Sequence, residues 1–88
     1  ICVDDELTNE LKASVAEIIR KKSEKLHFHD FRIVQGPTHT NVIFDIEVPY
    51  DVKEEDAEIV KELQKEIRKL STPEMEYFAV IDVDREYL

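Results

Sequence analysis

The chain has 88 residues, of which 42% are hydrophobic, so it is long enough for one packed domain and too short for two. Its 21 acidic and 12 basic residues give a formal net charge of −9, which disfavours nucleic acid as a partner and attracts cations. The single cysteine, Cys2, excludes an internal disulfide, and no apolar run predicts a signal peptide or a membrane span, so we expect a soluble domain in a reducing cytosol.

The first predicted element is an amphipathic helix from Thr8 to about Leu26. Thr8 is the predicted N-cap, and lysines gather toward the C-terminal end, where cations favour the helix dipole. The apolar residues recur at helical spacing and form one stripe: Leu11, Val15, Ile18 and Ile19.

A β-hairpin is predicted next. Residues 28–35, FHDFRIVQ, are rich in β-branched and aromatic side chains, and Gly36 with Pro37 supplies a turn. From Asn41 the side chains alternate until Pro49 ends the strand. One face is apolar, with Val42, Phe44, Ile46 and Val48, and the other is mixed, with Ile43, Asp45 and Glu47. The short loop predicts antiparallel pairing of these strands.

The strongest helical pattern covers residues 53–70, and strand character resumes at about Tyr77. The helix stripe is Ile59, Leu63, Ile67 and Leu70. The strand places Tyr77, Ala79, Ile81 and Val83 on one face and Phe78, Val80, Asp82 and Asp84 on the other. A strand that follows a crossover helix pairs parallel. The order helix, strand, strand, helix, strand therefore predicts an α+β, ferredoxin-like αββαβ sandwich with a three-stranded mixed sheet and two helices on one face.

Two helices cover one face of this sheet and leave the other face open. On the open face, apolar residues stand beside carboxylates: Ile43, Phe78 and Val80 with Asp45, Glu47, Asp82 and Asp84. The apolar residues predict a two-fold homodimer, although scattered exposed apolar residues are also ordinary. The carboxylates have two interpretations: a solvated acidic face, or a site for a divalent cation whose charge offsets their repulsion.

The three histidines leave the same choice open. His27 and His29 alternate in HFHD, so an extended chain directs both to one side, as in a metal site or an ordinary surface. His39, in GPTHT, either caps the turn or ligates a metal. With no nearby cysteines, any metal would have imidazole and carboxylate ligands and bind reversibly.

Motifs for enzyme chemistry are absent from the sequence. It has no Gly-rich phosphate loop and no Gly-x-Ser-x-Gly motif, and Cys2 is far in sequence from His27. We therefore expect that the protein is not an enzyme.

The segments HDFRIVQGPTHTNVIFDIEVP and YFAVIDVDREYL resemble the C-terminal cytoplasmic domain of the cation diffusion facilitator family of metal transporters. The resemblance runs from about Leu7 to Leu88, and residues 1–7 are interpreted as an N-terminal tail. It implies a domain, residues 8–88, that homodimerises on the cytoplasmic side of the cell membrane, binds divalent metal and regulates an integral membrane transporter. It also implies a transmembrane part upstream of Ile1. Zinc is the first expected metal, with manganese, iron and cadmium as alternatives.

Within the resemblance, the expected metal ligands are His29, Asp45, Asp82 and Asp84, with a one-residue gap needed to match Asp45. Aspartate stands at two positions where the family uses histidine, and the weaker candidates are His27, His39 and Glu47. The expected dimer face is Ile43, Phe78 and Val80. Alternation from Phe31 and Ile33 places His29 on the core side, so we expect it to lie outside the regular strand. The alternative functions are a metal-independent dimerisation scaffold of the same transporter and a free-standing small-molecule-binding domain.

Overall fold

The computed structural model describes residues 5–86, which form a three-stranded sheet with two helices. The sheet order is β1-β2-β3, with β1 antiparallel and β3 parallel to the central β2. This arrangement confirms the predicted α+β, ferredoxin-like fold. None of the helices in this part of the chain is long and apolar enough to cross a membrane. The elements in chain order are α1 (Asp5–Lys22), β1 (His27–Gln35), β2 (His39–Val48), α2 (Asp56–Arg68) and β3 (Glu76–Arg85).

Helix ends differ from the sequence prediction. Helix α1 begins at Asp5, so Thr8 lies inside the helix and is not its N-cap, and part of the expected tail is helical. It ends at Lys22, because a turn closed by a hydrogen bond from Leu26 N to Ser23 O (3.3 Å) leads into β1. Helix α2 ends at Arg68, so Leu70 lies beyond it. Cys2 falls outside the described residues.

The core lies between the helices and the predicted apolar face of the sheet. The four apolar residues of β2 on this face, including Phe44, have no exposed surface. The buried residues of both helices belong to the same cluster, so both helices cover this face: Leu11, Val15 and Ile19 from α1, and Ile59, Leu63 and Ile67 from α2. The Phe28 and Phe31 rings of β1 pack on Phe44 with centroids 5.9 and 6.3 Å away.

The turn between β1 and β2 requires a glycine at position 36. Gly36 N donates a hydrogen bond of 2.7 Å to His39 O, and a Cβ at Gly36 would lie 3.0 Å from that same oxygen. Because a backbone carbonyl cannot easily move away, a side chain at this position would loosen the turn. The turn sets the register of β1 on β2.

Two cationic side chains tie the helices to the rest of the fold. Burial alone would lower the pKa of Lys22, but hydrogen bonds from its ammonium to Glu54 and Glu62 raise it. Arg85, at the end of β3, donates from Nε to Asp56 Oδ1 (2.6 Å) and from its terminal nitrogens to the carbonyls of Val52 (2.8 Å) and Glu54. The loop between β2 and α2 is thereby held to both helices and to the sheet.

Candidate metal centre on the open face of the sheet

The strand register places the acidic residues side by side on the face opposite the helices. Asp45 of β2 lies between His29 of β1 and Asp82 of β3. In the next row, Glu47 lies between His27 and Asp84. The side chains of one row therefore come from all three strands.

A β-bulge in β1 brings His29 to this face. The register shifts between His29 and Arg32, so that one extra residue of β1 is accommodated there. Asp30 has φ of 57°, and it is the one non-glycine residue with positive φ in the described chain. The left-handed conformation is one that aspartate tolerates better than most residues, and it is a common feature of bulges.

The bulge corrects the sequence expectation for His29. The imidazole was expected outside the regular strand, but His29 lies within β1, and the extra residue reverses its face relative to simple alternation. Phe28, Phe31 and Ile33 all pack against the core, whereas His29 is exposed on the open side.

The His29 ring lies between two sets of carboxylates. Its Nδ1 is 3.3 Å from Asp30 Oδ2 and 3.9 Å from Asp45 Oδ2, and its Nε2 is 3.8 Å from Glu47 Oε1. The side chains form two groups, and within each group the ligand atoms lie within 4.8 Å of one another. The first group is His29, Asp30 and Asp45, and the second is His29, Glu47 and Asp84. The two ring nitrogens thus lie near different carboxylates.

The predicted ligands do not all converge. His29 belongs to both groups, Asp45 to the first and Asp84 to the second. Asp82 belongs to neither, although it is beside Asp45 in register. Glu47, a weaker candidate in the sequence, belongs to the second group. Sequence reasoning missed Asp30, whose position in a bulge left only its adjacency to His29 as a signal.

The other two histidines lie outside these groups. His27 is exposed at the start of β1, directly opposite Glu47. His39 is at the far end of β2, where its ring meets Phe78 edge-on with centroids 6.1 Å apart.

The open face therefore has two halves. The acidic half holds His29, Asp45, Glu47, Asp82 and Asp84. The apolar half holds Val34, Ile43, Phe78 and Val80, and the polar residues Arg32 and Asn41 lie beside them in register. In the apolar half, Val80 is 47% and Val34 50% exposed, and the Arg68 guanidinium stacks over the Phe78 ring at 4.3 Å. The three residues of the expected dimer face all lie in this half.

The ligand types and spacing fit a borderline divalent cation. Ligands of a tetrahedral zinc ion lie about 3.3–3.6 Å apart, as follows from bond lengths of about 2.0–2.2 Å. The His29 Nε2 to Glu47 Oε1 distance of 3.8 Å needs only a small side-chain rotation to reach that spacing. Because the His29 side chain is 44% and the Glu47 side chain 56% exposed, an ion there would keep water ligands and exchange readily.

Two grooves lie on other parts of the surface. One, of about 310 Å³, runs between α1 and α2 and includes Ile18, Lys65 and Leu63 in its lining. The other, of about 420 Å³, lies where α1 meets the start of β1 and has Ile19, Leu26 and Phe28 in its lining. Neither lining includes a residue of the acidic half.

Comparison with protein-family models, with curated proteins and with solved structures gave no match to this chain. The likeness to the cation diffusion facilitator family therefore stays a prediction from the sequence.

Proposed function

We propose that this domain binds a divalent cation on the acidic half of its open face and serves as the homodimerising cytoplasmic regulatory domain of a divalent metal efflux transporter. The observation that carries the proposal is the second group, in which an imidazole from β1, a carboxylate from β2 and a carboxylate from β3 lie within 4.8 Å: His29, Glu47 and Asp84. The transporter assignment is supported by the likeness of residues 29–49 and 77–88 to the cation diffusion facilitator family. Zinc is the first candidate, because imidazole together with carboxylate suits borderline divalent ions; manganese, iron and cadmium follow.

The regulatory mechanism is a population shift between two arrangements of the dimer. The apolar half is the surface on which two copies meet, and the acidic half is continuous with it on the same strands. A cation that binds one arrangement more tightly than the other favours that arrangement by the difference in binding free energy. The attached membrane domain would respond to the altered arrangement.

Titration of the purified chain with Zn²⁺ and Mn²⁺, followed by calorimetry and thermal melting, tests the binding step. We expect saturable binding, with stabilisation of about 2.7 kcal/mol when free cation reaches a hundred times the dissociation constant. Glu47→Gln and Asp84→Asn each remove a ligand charge and should weaken binding at least about tenfold, in line with metal-site substitutions. Glu58→Gln, on the exposed side of α2, removes the same charge and should leave affinity unchanged. Absence of heat and of any melting shift with both ions would refute the site.

A metal-independent dimerisation scaffold is the second candidate, and the exposed Val80 and Phe78 favour it. Small-angle X-ray scattering of the dimer with and without saturating Zn²⁺ separates the two functions. A sensor changes its scattering profile on binding, whereas a scaffold gives the same profile in both conditions.

A further inference from the structure

Asp30 makes two contributions to the placement of His29. Its left-handed backbone, with φ of 57°, accommodates the extra residue of the bulge and so sets the face on which His29 lies. The bulge is also held by the Arg32 guanidinium, which donates to the Asp30 carbonyl oxygen at 3.0 Å. Without the extra residue, the β alternation would direct His29 to the core side.

The Asp30 side chain also contacts the His29 ring. Its Oδ2 lies 3.3 Å from Nδ1 of His29. An ionised carboxylate only accepts hydrogen bonds, so this contact is a hydrogen bond only when Nδ1 carries the proton. In the neutral ring the lone pair is then on Nε2, which is the nitrogen directed at Glu47.

We propose that Asp30 is a positioning residue that selects the group His29, Glu47 and Asp84 as the cation site. Binding through the alternative group would require Nδ1 as the ligand and would break the bond to Asp30. A carboxylate that accepts from the other ring nitrogen is the usual support of a metal-bound histidine, and it fixes the tautomer and the ring orientation. The inference deepens the proposed cation-binding function and rests on it for the choice of ligands.

Three variants separate the two contributions. Asp30→Asn keeps an oxygen acceptor and a residue that tolerates positive φ, Asp30→Gly keeps the backbone freedom but removes the acceptor, and Asp30→Ala removes both. The first two remove the same charge, so a difference between them is not an effect of the electrostatic field. Far-ultraviolet circular dichroism verifies that each variant is folded.

The first readout is the tautomer of His29, measured by ¹⁵N NMR of the cation-free protein at about pH 8, where an ordinary imidazole is neutral. We expect the Nδ1–H form in the native protein and in Asp30→Asn, and a shift toward the Nε2–H form in Asp30→Gly. Because this measurement needs no cation, it tests the role of Asp30 even if the proposed cation binding fails.

The second readout is Zn²⁺ affinity by calorimetry. We expect Asp30→Gly to bind about 10- to 100-fold more weakly than the native protein, and Asp30→Asn to retain most of the affinity. An equal loss in Asp30→Asn and Asp30→Gly would show that Asp30 is itself a ligand and would overturn the inference. An unchanged tautomer and unchanged affinity in Asp30→Gly would overturn it as well, while native binding would keep the proposed function intact.

Discussion

Asp82 lies directly beside Asp45 in the parallel pair of β2 and β3, yet it contributes to neither group of converging ligand atoms. Like charges opposite each other on neighbouring strands destabilise the sheet. The two aspartates of β3 are therefore not equivalent, although the sequence assigns both the same role. The Asp84 carboxylate lies close to the ligand atoms of His29 and Glu47, whereas the Asp82 carboxylate adds repulsion to its neighbour Asp45.

We expect Asp82→Asn to stabilise the cation-free protein by about 0.2–1 kcal/mol, because it removes one of two adjacent like charges. Urea unfolding in the presence of a chelator measures this change, and the gain should shrink in 1 M salt as charges are screened. Zinc affinity should fall no more than about fivefold, since a nearby charge that is not a ligand contributes about 0–1 kcal/mol. A loss as large as that of Asp84→Asn would instead place Asp82 in the coordination sphere.

The residue that sequence reasoning could not place is Asp30. Alternation of side chains gives the face of every residue on a regular strand, and on β2 and β3 this was sufficient. A bulge adds one residue and inverts the pattern beyond it, and no glycine or asparagine marks the position in HFHDFR. The face on which His29 lies could consequently be assigned only from the backbone conformation.

At the scale of elements, the long periodic patterns predicted the two helices and three strands, and the element order followed. Helix α2 is readily predicted from the sequence, because its buried residues recur at strict helical spacing and the acidic residues Asp56 and Glu58 occupy its first turn. Ends were less predictable, since a helix continues as far as its backbone finds partners. Thr8, a good N-cap type, lies inside α1.

The sequence also gave no sign that Arg85 joins three elements. This arginine ends β3 and binds Asp56 at the start of α2 together with two carbonyls of the preceding loop. Its side chain is only 15% exposed, so water could not easily take the place of its hydrogen bonds if they were lost. A planar guanidinium can serve several acceptors at once, which a single ammonium cannot.

We expect Arg85→Met to lower the free energy of unfolding by about 2–3 kcal/mol, because the charged hydrogen bonds from Arg85 to Asp56 and to two loop carbonyls are lost. Arg85→Lys should recover only part of this, because one ammonium cannot reach all the acceptors. Arg20→Met, an exposed change in the last turn of α1, is the control and should stay within about 0.5 kcal/mol. Urea unfolding measures all three, and equal stability of Arg85→Met and Arg20→Met would contradict the assigned role.

At the scale of the whole molecule, the open face combines two surfaces that oppose each other energetically. The apolar half favours contact with a second copy, while a formal charge of −9 favours separation. The acidic half contains carboxylates on both β2 and β3, so two copies that met across the entire face would bring these charges together. The proposed contact through the apolar half, with a cation reducing the charge beside it, would satisfy both requirements. Salt or a bound cation should then strengthen association.

Substitution of Val80 tests whether the apolar half forms the dimer. Val80 is 47% exposed and lies next to Ile43 in register, so Val80→Lys should leave the folded monomer intact but place a charge in the contact. We expect the native chain to sediment as a dimer and Val80→Lys as a monomer, with a dissociation constant raised at least about tenfold, as for a buried interface position. Tyr50→Lys, at a position 52% exposed in the loop after β2, adds the same charge elsewhere and should remain dimeric. A native chain that sediments as a monomer, or equal dissociation constants for Val80→Lys and the native protein, would show that copies do not meet through this surface.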